Sequence, residues 1–122
     1  MHILFDEAGK LMTGRLLSEA ESSLQVELDS GKRVKVKAAN ALLRFEKPAP
    51  AQLMPAATAL AASMELELAY EFAPEDEFGF ADLAADYFSA HASTEQQVAA
   101  LICLQGAPHY FRRAGKGRYK KA

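Results

Sequence analysis

The hydrophobic period changes once along the chain, and that change divides it into two modules of different kinds. Up to residue 47 the apolar residues come in short runs: ILF (3–5), LMTGRLLS (11–18), SLQVEL (23–28), RVKVK (33–37) and LLRF (42–45). Five such runs, separated by turn signals such as DEAGK, predict a small antiparallel β-barrel of the SH3-like kind over residues 1–47. EKPAPAQLMP (46–55) then places prolines at 48, 50 and 55. Proline clusters favour extended backbone, so residues 48–55 are expected to form a linker.

Register in the first module follows from alternation. Leu24, Val26 and Leu28 share a face with Val34 and Val36 only if the loop between the strands holds an odd number of residues. A three-residue loop, Asp29-Ser30-Gly31, meets that condition, with Gly31 in the left-handed position of a type I turn plus bulge. Val26 then faces Val34 and Leu24 faces Val36. The opposite face carries the basic stripe Arg33, Lys35 and Lys37, with Glu27 placed as a partner for Arg33.

Beyond the prolines the period becomes helical, and residues 56–122 are expected to form the second module. Leu53, Ala57, Leu60, Ala61, Met64 and Leu68 form one apolar stripe, and ELELAYEF (65–72) is expected to continue that helix. APEDEFG (73–79) reads as a loop. Phe80, Leu83, Ala84, Tyr87 and Phe88 mark an amphipathic helix. Ser93 and Gln96 predict a capping box for a third, with Val98, Leu101 and Ile102 as its buried stripe. Gly106 and Pro108 end it. HYFRR (109–113) and RYKK (118–121) flank AGKG, which predicts a hairpin over about 108–121. Three helices followed by a hairpin is the outline of a winged helix, a helix-turn-helix variant. The expected fold class is therefore α+β, a small barrel followed by a winged-helix domain.

Charge is segregated along the chain. The net charge is −2, yet residues 48–111 hold nine acidic groups and no Lys or Arg, while residues 112–122 hold six basic groups and no acid. Arg112, Arg113, Lys116, Arg118, Lys120 and Lys121 are candidate phosphate contacts, with Tyr110, Phe111 and Tyr119 interleaved as stacking candidates. Phe111 is expected in the core instead, because a wing must be anchored to its helices. Arg33, Lys35 and Lys37 are a second basic candidate. The third helix, STEQQVAALICLQ, contains no Arg or Lys, so sequence-specific DNA reading is not expected.

No catalytic or metal-binding set emerges. Asp82 and Asp86 sit one helical turn apart with Glu75-Asp76-Glu77 before them, a pattern more typical of a solvated face than of a Mg²⁺ site. His2, His91 and His109 are scattered, and Cys103 falls in a helical stripe as a small hydrophobe. GKGR (115–118) lacks the rest of a phosphate loop. No apolar run approaches the ~20 residues that span a bilayer, and the start lacks the pattern of a secretory signal. A single cysteine excludes an internal disulfide, which together with that start points to a cytoplasmic chain.

Three strings carry a family resemblance. SLQVELDSGKRVKVKAANALLRFE (23–46), EDEFGFADLAADYF (75–88) and QGAPHYFRRAGKGRYKKA (105–122) resemble the N-terminal region of a bacterial branch of the ribonuclease II (RNB) exoribonuclease family. The resemblance implies a processive 3′→5′ exoribonuclease in which aspartate-held Mg²⁺, in a domain following regions like this one, hydrolyses RNA to mononucleotides. No stretch here matches the aspartate motif of that domain, so no catalytic residue, metal ligand or cofactor is expected in this chain. The chain would be the non-catalytic front end of a longer protein, contacting single-stranded RNA through its basic edges and packing beside its own C-terminal catalytic domain. The alternative is a structural or docking module whose acidic helices bind a catalytic domain or protein partner without touching nucleic acid.

Overall fold

The computed structural model describes residues 1–122. It is a mixed α+β structure with four α-helices and antiparallel sheets, divided into two compact units, Met1–Ala51 and Gln52–Ala122.

In the first unit, β1 (His2–Glu7), β2 (Lys10–Glu19), β3 (Ser23–Glu27), β4 (Arg33–Lys37) and β5 (Ala41–Phe45) form one antiparallel sheet in the order β4-β3-β2-β1-β5. A 3-10 turn, Ala38–Asn40, joins β4 to β5. The two end strands are not paired with each other, so the sheet is open between them. Ile3, Phe5, Leu24, Val26 and Val36 are buried on the inner face, with Met12, Leu16, Leu28, Val34 and Ala41 packed against them.

Local chemistry explains the strand turns. The β3–β4 hairpin pairs Leu24 with Val36 and Val26 with Val34, as alternation requires. Its loop is 29–31, closed by the Gly31 N–H donating to the Leu28 carbonyl at 2.8 Å, and Gly31 has φ +86°. Ala8 and Gly9 join β1 to β2 with φ +52° and +87°. The buried Asp6 carboxylate supports that turn by accepting the Gly9 N–H at 2.7 Å. Gly14 lets β2 approach β3 closely, since a Cβ there would overlap Val26 Cγ1 and stand 2.8 Å from the Glu27 carbonyl oxygen.

The expected extended linker over 48–55 is instead mostly helical. Helix α1 spans Pro50–Ser63 and contains Pro55. Proline at a first helical position gives up an N–H that has no partner anyway, and its φ already suits a helix. Pro55 removes one further bond, which burial of Leu53 and Ala57, both 0 % exposed, offsets. The single helix expected through residue 72 is also broken. Glu65 takes an extended conformation (φ −89°, ψ 113°), and α2 begins afresh at Leu66 and runs to Phe72. The Glu65 N–H, released from the helical ladder, donates to the Tyr87 hydroxyl at 3.0 Å.

Within 73–79, read above as a loop, Phe78–Gly79 form a short strand, β6. Helix α3 (Phe80–Tyr87) and helix α4 (Thr94–Gln105) follow, then β7 (Phe111–Gly115) and β8 (Arg118–Lys121). The sheet order is β6-β8-β7, so β6 completes the hairpin as its third strand. Phe78 and Phe111, each 2 % exposed, meet edge-on at 6.1 Å beneath that sheet. The capping box of α4 is formed: the Gln96 N–H donates to Ser93 Oγ at 3.1 Å, and the Ser93 N–H donates to Gln96 Oε1 at 2.9 Å. No helix is long and apolar enough to cross a membrane.

Candidate nucleic-acid interface

The β7–β8 hairpin carries all six basic residues of the C-terminal segment, and register sorts them into two faces. Arg112 lies opposite Lys120, Arg113 opposite Tyr119, and Phe111 opposite Lys121. Cross-strand partners share a face, so Arg112 and Lys120 stand together on one side. Arg113, Tyr119 and Lys121 share the other with Phe111. Phe111 and Tyr119 are 2 % and 4 % exposed, which makes that second side the inner one.

Burial removes both aromatics from stacking. Tyr119, read above as a stacking candidate, is an anchor like Phe111, because the hairpin attaches to the helices through this face. Tyr110 is half-buried and packs edge-on to Tyr70 at 5.8 Å. The tip is tied down too. Gly117 turns with φ +69°, and its carbonyl accepts the Phe80 N–H, the first amide of α3, at 3.0 Å.

Lys121 and Arg118 are held by carboxylates of their own unit. Lys121 is turned inward: its side chain is 11 % exposed, its amine lies 3.0 Å from Glu75 and sits 5.0 Å from the centre of the Tyr70 ring. Arg118 is paired through Nε with Glu77. Glu75 and Glu77, weighed above as part of a solvated face or a Mg²⁺ site, pair with the hairpin while their own side chains stay 87 % and 48 % exposed. Asp82, from the same cluster, accepts the Gly79 N–H at 2.9 Å at the start of α3. Arg113 bonds the Gly115 carbonyl at 3.4 Å while remaining exposed. Lys116 is exposed at the turn. Arg112 and Lys120 are exposed and belong to none of the ion pairs.

The second basic candidate lies on β4, an end strand of the first sheet, where Arg33, Lys35 and Lys37 are all exposed. Glu27 lies opposite Arg33 in register, yet its carboxylate is taken by Arg15, at 3.0 Å. Glu27 pairs with residues on both neighbouring strands, and the β2 side provides the ion pair. The stripe thus keeps its positive charge.

Helix α4 offers little to a base edge. Val98, Ala99, Ala100, Leu101 and Leu104 are buried. Gln96 is engaged in the capping box, and Gln97 Nε2 donates to the Ala92 carbonyl at 3.2 Å. Cys103 is half-buried, and desolvation raises its thiol pKa, which lowers the thiolate fraction at neutral pH.

β6, Tyr70, Glu75 and Glu77 are the contributors to this site that strand and charge patterns did not identify. The available signal was Phe78, an aromatic inside an otherwise acidic run, which marks a buried position. Compared with protein-family models, curated proteins and solved structures, the chain matches none.

Proposed function

We propose that the chain is the non-catalytic, RNA-guiding front end of an RNB-family 3′→5′ exoribonuclease, holding single-stranded RNA by its backbone on the outer face of the β7–β8 wing. The observation that carries this is the placement of Arg112 and Lys120. They face each other across the hairpin, exposed and free of ion pairs, while Arg118 and Lys121 stabilise the hairpin from its other contacts. Exposed Lys and Arg side chains without carboxylate partners are the groups that displace counterions from phosphates. Lys116 is exposed at the turn, and Arg33, Lys35 and Lys37 supply a second basic strip.

Support for a winged helix in the second unit comes from the element order α2-β6-α3-α4-β7-β8 and the sheet order β6-β8-β7. An SH3-like first unit is supported by the meander β1 to β4, the 3-10 turn before β5, and the return of β5 beside β1. The exoribonuclease assignment itself rests on the three sequence strings quoted above. With α4 poor in base-reading groups, binding is expected to be independent of sequence.

The test is anisotropy titration of a labelled, unstructured RNA oligonucleotide across a range of salt concentrations. Arg112→Ala with Lys120→Ala should weaken binding and lower the salt slope by about 1.4, at about 0.7 per phosphate contact on a single strand. Binding by the double variant that equals wild type at every salt concentration overturns the wing assignment.

A further inference from the structure

We propose that the α2–α3 face of the second unit is a docking surface for a basic amphipathic helix of a protein partner. The surface is distinct from the wing, and this inference does not depend on RNA binding. Leu68 and Phe72, one helical turn apart on α2, are 36 % and 47 % exposed, the two exposed large hydrophobic residues of that unit. A single exposed leucine is ordinary on a protein surface. Here the two residues form a stripe, and it continues onto α3 because the Phe72 ring meets the half-buried Tyr87 ring edge-on at 6.3 Å.

Charge selects the occupant. Glu67 and Glu71 precede Leu68 and Phe72 along α2, one turn apart, and so line one border of the stripe. Asp86 precedes Tyr87 on α3. All three are exposed, and none belongs to the ion pairs that join Glu75 and Glu77 to the wing. No Lys or Arg occurs between residues 48 and 111 to neutralise them. An apolar stripe bordered by unpaired carboxylates matches a helix that is apolar on one side and lined with Lys or Arg. RNA is disfavoured by the same carboxylates. The wing of a second copy is a poor fit, because its apolar residues Phe111 and Tyr119 are buried and it presents only charge.

The probe is a synthetic helical peptide of leucine and lysine with an apolar face, titrated into the whole chain and followed by amide chemical shifts. A peptide of the same composition in scrambled order and a leucine–glutamate peptide of the same pattern serve as controls. Saturable shifts should centre on α2 and α3 and be absent with both controls. Phe72→Ser, Leu68→Ser and the pair Glu67→Lys with Glu71→Lys should each weaken binding by about tenfold or more, as loss of an anchor residue does. Glu95→Lys, on α4, should leave affinity unchanged. No saturable shift, equal binding of the scrambled peptide, or wild-type affinity in both serine variants overturns the proposal.

Discussion

Arg44 and Glu19 form a bidentate ion pair, at 3.0 and 2.7 Å, although β1 lies between their strands in the sheet order. The length of β2 makes this possible. Its ten residues run past the start of β1, whose His2 pairs with Arg15, so Glu19 extends beyond the strand that would separate it from β5. The pair joins two strands without a backbone ladder between them.

That pair sets a pH dependence. The hydrogen bonds from Arg44, and then its charge, hold the Glu19 carboxyl below its usual range. A lowered folded-state pKa stabilises fully above the unfolded value, and the effect is lost as pH falls through the folded value. The melting-temperature gap between wild type and Glu19→Gln should therefore be constant near neutral pH and vanish in acid below the usual carboxylate range. Both side chains are about half exposed, so the gap should be small and shrink with salt. A gap that widens on acidification would contradict the assignment.

Ala8 occupies left-handed backbone at φ +52° in a two-residue turn. A Cβ in that region costs on the order of 1 kcal/mol, and Asn before Gly is the preferred pair for such a turn. Ala8→Asn should raise the urea midpoint of the first unit, by about 1 kcal/mol in stability, without changing the slope. An unchanged or lower midpoint counts against the turn geometry.

Gly14 is the opposite case. Its backbone is unstrained, but a methyl group there would displace Val26 or the Glu27 carbonyl. Gly14→Ala should cost about 1–3 kcal/mol by overpacking. The companion change Val26→Ala, which clears part of the space, should make the double variant less destabilised than the sum of the two single ones in a double-mutant cycle. Strict additivity would show that the two positions are not in contact.

The wing should separate stability from RNA affinity. Lys121→Ala removes a side chain that is 11 % exposed from Glu75 and Tyr70, and should cost about 1 kcal/mol in thermal or urea unfolding. Arg112→Ala, on the exposed face, should change stability by less than about 0.5 kcal/mol. In RNA titrations on folded protein the order should reverse, with Arg112→Ala the more damaging. Equal effects of the two variants in both assays would remove the distinction between inner and outer faces.

Features set by neighbouring residues were legible in the sequence. Alternation and an odd loop placed Val26 against Val34 and Leu24 against Val36, and spacing of three placed Ser93 and Gln96 in a capping box. Proline content misled over 48–55 because it describes unfolded preference. Burial of Leu53 and Ala57 lies on the other side of that balance.

What only the tertiary structure decided are the pairings between distant residues. Glu75 with Lys121 and Glu77 with Arg118 are 46 and 41 positions apart, and Glu19 with Arg44 are 25 apart. Alternation alone requires Arg112 and Lys120 to share a face, with Tyr119 and Lys121 on the other. Which face meets water depends on where Phe78 and Phe111 pack, and so do the charges that remain free to bind. A local pattern specifies relative side-chain direction, whereas burial is a property of the whole assembled unit.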